Sequence, residues 1–139
     1  MGRRTALIIV DMTVEQVADL SYRKKDTIDA ILHLVNQANF DIIVDSHLWI
    51  GPEDASSLKE FYPEVGRKDT EGAMLIPELL NALYNNQRQN VIFVPKYNYS
   101  SFVSGKLDEV LRSHNITDVY ITGINTDYRT AYVVEEAVS

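Results

Sequence analysis

Four short apolar runs punctuate the chain, and each hands over to polar residues at its C-terminal end. Residues 6–10 lead to Asp11, residues 42–44 to Asp45-Ser46-His47, residues 91–95 to Lys96, and residues 119–122 to Gly123-Ile124-Asn125-Thr126-Asp127. The runs are continuous rather than alternating and rich in β-branched residues, which predicts strands over 6–10, 41–45, 91–95 and 118–122, covered on both faces. Between them the period changes to that of helices. Residues 26–38 place Ile28, Ile31, Leu32 and Val35 on one face, with Asp26 as N-cap and a stop near Asn39. Residues 76–86 carry Leu79, Leu80, Leu83 and Tyr84, with Pro77 in the first turn. Residues 104–114 carry Leu107, Val110 and Leu111, with Ser104 as N-cap and Asp108 and Glu109 near the positive end of the helix dipole.

Alternating strands and helices predict an α/β fold of three layers, α/β/α, around a mostly parallel, doubly wound sheet with right-handed crossovers. Ligands of such sheets bind beyond the C-terminal strand ends, where the strand order switches. Asp11, Asp45, His47, Lys96 and the Gly123 turn all fall on that edge. The stretch 48–73 has poor periodicity, with Gly51-Pro52 and Gly66 as breakers. A loop of that length is expected to cover a site or an interface.

Composition narrows the function classes. A chain of 139 residues makes one domain, and 45% hydrophobic with 24% charged residues is ordinary for a folded one. A net charge of −7 argues against non-specific binding to nucleic acid or to an anionic membrane surface. No apolar run is long enough to span a bilayer, and residues 1–4 begin neither a secretory signal nor a myristoylation site, so a cytoplasmic location is the default expectation. There is no cysteine, which removes disulfides, thiolate metal sites and thiol nucleophiles together. No G-x-G-x-x-G or P-loop follows any predicted strand, which weakens a nucleotide-binding reading.

Each polar residue at the strand ends has a plain reading and a chemical one. Asp11 either caps the next helix, in competition with a Thr13-x-x-Gln16 cap box, or is a buried base. Lys96 is either a surface lysine with a buried stem or a cation that stabilises a developing oxyanion. Asp45 and His47 are either loop hydrogen-bonders or two metal ligands turned to one side. Trp49 and Phe61 either pack the long loop down or wall a pocket for a planar ligand. His33 and His114 lie on helices and read as structural.

Taken together, Val10-Asp11-Met12, Asp45-x-His47, Lys96-x-x-x-Ser100-x-Phe102 and Gly123-Ile124-Asn125-Thr126-Asp127 resemble the isochorismatase-like cysteine hydrolases, nicotinamidases in particular. Asp69-Thr70-Glu71-Gly72-Ala73 is similar to a further family segment, with aspartate for its first glycine, so the likeness runs over residues 5–127. The resemblance implies hydrolysis of a small amide C–N bond through a thiolate and an acyl-enzyme. Asp11 would be the base, Lys96 its electrostatic partner, and the Asn125 amide part of the oxyanion hole. It also implies a small planar amide or carboxylate ligand, a homo-oligomer, and a divalent metal (zinc or manganese) at Asp45 and His47. The family's further metal-binding histidine has no counterpart between Leu48 and Lys96, which leaves Glu64, Glu60 or Glu53 as substitutes.

The resemblance breaks after Asp127. Arg129 stands at the position of the family's cysteine, and an arginine, charged at every accessible pH, is no nucleophile. In one reading Arg129 replaces the cysteine, pairs with Asp11 and quenches the site, giving a pseudoenzyme. In the other, residues 130–139 are the family's next strand, favoured by Tyr132-Val133-Val134, and the nucleophile helix is missing. Only residues 123–130 would then join two strands, whereas a parallel crossover takes about a dozen or more residues. Such a strand must pair antiparallel or with another chain, unless a crossover segment is absent. The second reading is preferred: a single domain over 1–139 that lacks the nucleophile helix and is inactive by the thiol route. The alternative function is a non-catalytic ligand-binding or assembly module.

Overall fold

A computed structural model of the chain describes residues 2–20, 23–53, 65–85, 89–96, 105–124 and 132–135. In chain order the elements are β1 (Thr5–Val10), α1 (Val14–Ala18), α2 (Lys24–Gln37), β2 (Ile42–Ser46), a 3-10 turn (Glu71–Ala73), α3 (Pro77–Tyr84), β3 (Val91–Phe93), α4 (Gly105–Ser113), β4 (Asp118–Gly123) and β5 (Tyr132–Glu135). They build one sheet of order β3-β2-β1-β4-β5. The first four strands are parallel, with Ile8 opposite both Val44 and Ile121.

Both faces of the sheet are covered, which is why its strands read as continuous apolar runs. Leu7, Ile9 and Ile43 pack against Ile31 and Val35 of α2 and Leu79, Ala82 and Leu83 of α3. Ala6, Ile8, Val10, Ile42 and Val44 pack on the opposite face against Leu107 and Leu111 of α4. Alternate residues of one strand thus serve two cores, so a one-residue slip would exchange them.

Several boundaries differ from the sequence expectation. Helix α2 starts at Lys24, and its N-cap is Arg23 in the left-handed region (φ 54°) with no side-chain cap bond, not Asp26. Asp26 lies inside the first turn and accepts from Arg23 Nε at 3.0 Å. Thr13, whose hydroxyl accepts from the Gln16 N–H at 3.4 Å, is the cap of α1. Strand β3 is shorter than residues 91–95, yet its register with β2 continues past it. The Val94 N–H donates to the Asp45 carbonyl (2.9 Å) and the Lys96 N–H to that of His47 (2.8 Å). Pro95, lying between them, has no N–H to donate. The described ends of the stretch 48–73 are less irregular than their sequence suggests. Ile50 exchanges backbone hydrogen bonds with Gly66 and Lys68 (2.7 and 2.9 Å), and Leu48 and Ile50 form a small cluster with Val65.

The C-terminal segment is a strand, and it takes the antiparallel option. Tyr132 pairs with Ile121 and Glu135 with Asp118. This satisfies the limit on connection length, because an antiparallel neighbour needs no helical crossover. The Ser104 cap and the Asn125 and Arg129 positions lie outside the described residues, as do Phe61, Glu60 and Glu64.

Candidate active site and adjoining cleft

Strand order reverses around β1, which has β2 on one side and β4 on the other. Asp11 is the first residue beyond β1 at this point. Its backbone is left-handed (φ 57°), a conformation that aspartate tolerates better than most residues, and its N–H donates to the Ser46 carbonyl at 2.9 Å. Its Oδ2 accepts from Lys96 Nζ at 2.6 Å, and both side chains are buried, with relative exposures of 0% and 1%. Lys96 is therefore not a surface lysine, and Asp11 is not a helix cap. Burial pushes the Lys96 ammonium below its ordinary range, while the charge and hydrogen bond of Asp11 oppose that shift. The sequence places the two residues 85 positions apart; parallel pairing of β1, β2 and β3 brings their strand ends together.

Gly123 closes the other side of this edge. At φ 123° its Cα lies so near Val10 that an added Cβ would stand 2.1 Å from the Val10 carbonyl oxygen, and the Ile124 N–H donates to that oxygen at 2.9 Å. Only glycine fits a backbone approach of that kind.

Asp45 and His47 also come together, but mainly with each other. His47 Nδ1 and Asp45 Oδ1 are 2.7 Å apart, and Asp45 Oδ2 accepts from the Tyr84 hydroxyl at 2.6 Å. Burial, followed by the Asp45 charge and hydrogen bond, raises the Tyr84 phenol above its ordinary range, so it stays a donor at neutral pH. Periodicity groups Tyr84 with the core leucines of its helix. It is instead 42% exposed, with its hydroxyl spent on the site. Helical spacing alone gave no signal for that role, because position 84 lies on the same stripe as Leu80.

Asp45, His47, Tyr84, Trp49 and Phe93 line a cleft of about 300 Å³, floored by Leu75 and Leu80. Neither Asp11 nor Lys96 lines it; the link is through backbone, since the Trp49 N–H donates to the Lys96 carbonyl at 3.1 Å. A metal at Asp45 and His47 would need donor atoms turned toward one point. Here Asp45 Oδ2 accepts from Tyr84 and Oδ1 lies 2.7 Å from His47 Nδ1, and no group of three His, Cys, Asp or Glu forms among the described residues. The described residues supply Asp45 and His47 as two donors toward such a centre, and Glu60 and Glu64 lie outside them.

Glu15 of α1 joins the surrounding segment to this edge. Its Oε2 accepts from the Gly66 N–H at 2.5 Å. Burial raises its pKa; the Gly66 hydrogen bond opposes this, and the charges of Asp19 and Asp11 add to it. A carboxyl raised in the folded state favours folding below its unfolded pKa, and that contribution is lost as pH rises through the folded value. Glu15→Gln is therefore expected to flatten the fall of melting temperature as pH rises from about 4 toward 7. If wild type instead gains on the variant over that range, the sign assigned to Glu15 is wrong.

A family model for the isochorismatase domain matches residues 5–136. The chain belongs to the isochorismatase family. Its fold is that of solved isochorismatase-family structures. One is a pyrazinamidase/nicotinamidase from Streptococcus mutans UA159, with TM-score 0.69 and 26% identity, covering 86% of this chain and 71% of that one. A nicotinamidase from Staphylococcus aureus gives TM-score 0.60 and 26% identity over 87% of this chain and 65% of that one. An N-carbamoylsarcosine amidase from Thermoplasma acidophilum, 19% identical, shares the fold with TM-score 0.68 over 86% of this chain and 67% of that one. Comparison with curated protein sequences gives no match. Among the described residues of this family member, no helix is long and apolar enough to cross a membrane.

Proposed function

We propose that this isochorismatase-family chain keeps the charge-handling half of an amide-hydrolase site and binds a small planar amide without consuming it by the thiol route. The observation that carries the reading is the buried Asp11–Lys96 pair, 2.6 Å apart at the strand-order switch, in a chain without a single cysteine. In the thiol mechanism, Asp11 would take the nucleophile's proton as Lys96 and the Asn125 amide steadied the oxyanion. Without the thiol no acyl-enzyme forms, and a base and a cation alone leave the C–N bond intact. Asp11, Lys96 and Asn125 are thus the inherited catalytic positions, and Arg129 the position of the lost nucleophile.

Ammonia release from nicotinamide is expected to stay at the no-protein background, while the amide raises the melting temperature in a concentration-dependent way. Catalytic ammonia release from a thiol-free sample would overturn the reading.

A further inference from the structure

Beneath the Asp11–Lys96 pair lies another buried polar group. Strand order β3-β2-β1 puts β2 between the two partners, so the Lys96 side chain crosses the end of β2 to reach Asp11. Ser46 is the last residue of β2, opposite Val10, and its carbonyl accepts from the Asp11 N–H at 2.9 Å. Side chains alternate along a strand, and its neighbours Asp45 and His47 face the aromatic cleft. Ser46 therefore faces the other side of the sheet, with Val10, Val44 and Val94, as Lys96 does two residues beyond Val94. Its relative exposure is 1%, and its hydroxyl has no hydrogen-bond partner among the described residues. A hydroxyl kept in an apolar enclosure without a partner opposes folding. The cleft and whatever it binds lie across the sheet from this hydroxyl.

We propose that an internal water molecule is bound here, held between Ser46 Oγ and the Asp11–Lys96 pair. Serine is smaller than the valines beside it on β1, β2 and the continuation of β3, which favours a guest of water's size. The hydroxyl both donates and accepts, the ammonium brings three N–H donors, and the carboxylate brings two oxygens. A water among these groups finds the two to four partners that internal waters need, roughly three on average. The burial of two charges is repaid only where further hydrogen bonds supplement their own contact. Ser46 supplies one of those bonds at second hand, through the water. The inference makes no use of ligand binding, so it stands or falls apart from the proposed function.

Two measurements on the full chain test it. A crystal structure at a resolution that orders internal water should show one within hydrogen-bond reach of Ser46 Oγ and of Lys96 Nζ or an Asp11 oxygen. Denaturant unfolding should show Ser46→Ala lowering the folding equilibrium constant about tenfold, because the water loses an anchor and the pair part of its hydration. In the background of Asp11→Asn with Lys96→Met the same substitution should change that constant by less than about threefold, since the charges that hold the water are gone. A gain in stability on Ser46→Ala would show that the hydroxyl is bare. An equal loss in both backgrounds would show that it has no tie to the pair. A crystal structure with no ordered water there, or with a protein group bonded to Ser46 Oγ, would remove the guest. Each of these results overturns the proposal.

Discussion

Replacing Lys96 with methionine is expected to lower the unfolding free energy by about 3–5 kcal/mol, because it strands the Asp11 carboxylate without its cation in a fully buried place. For a domain of this size that is a drop of about 10–20 °C in melting temperature, a large share of total stability. The loss comes from an uncompensated charge rather than from missing volume, since methionine fills most of the space of the lysine stem. Asp11→Asn combined with Lys96→Met should therefore recover most of it, asparagine being at home in the left-handed conformation of position 11. Thermal melts of the single and double variants check both statements. A single variant within 1 kcal/mol of wild type, on the order of a surface ion pair, would show that the pair is not desolvated as described. Two buried charges are costly to assemble and often no better for stability than a well-packed apolar pair. Folding stability alone therefore gives no reason for the pair at the strand-order switch.

The second large effect is at Gly123. Gly123→Ala is expected to cost about 2–6 kcal/mol, the sum of backbone strain at a φ that L-residues avoid and of a clash with backbone that cannot swing aside. The added Cβ would meet the Val10 carbonyl oxygen at 2.1 Å and its nitrogen at 2.7 Å, so β1 and β4 must part at the register that frames Asp11. Denaturant unfolding of the variant measures the cost. Ligand stabilisation measured on the same sample shows whether the sheet edge is disturbed along with it. A neutral substitution would mean that the two strands approach less closely than the structure has them.

Much of this molecule is written locally. Runs such as 6–10 and 119–122 announce strands covered on both sides, because a strand serving two cores cannot afford polar residues on either face. The stripe of Ile28, Ile31, Leu32 and Val35 announces a helix face, and β/α alternation announces a mostly parallel sheet with a functional edge; that the strand order switches at β1 came from the structure. Asp11, Lys96, Asp45 and His47 were all legible as strand-end residues and through a family resemblance. The absence of cysteine is a property of the sequence alone.

Only the tertiary structure decided which of these residues touch, and what they are therefore able to do. Helix caps depend on how a chain enters its first turn, so Arg23 rather than Asp26 stands at the start of α2. The direction of the last strand depended on how short a connection the sheet would accept. The burial of Lys96 depended on two parallel crossovers that carry β3 to the far side of β2. Tyr84 is the plainest case: its spacing marks it as one more residue on an apolar helical stripe. Its hydroxyl donates to Asp45, a contact between residues 39 positions apart that no local pattern encodes.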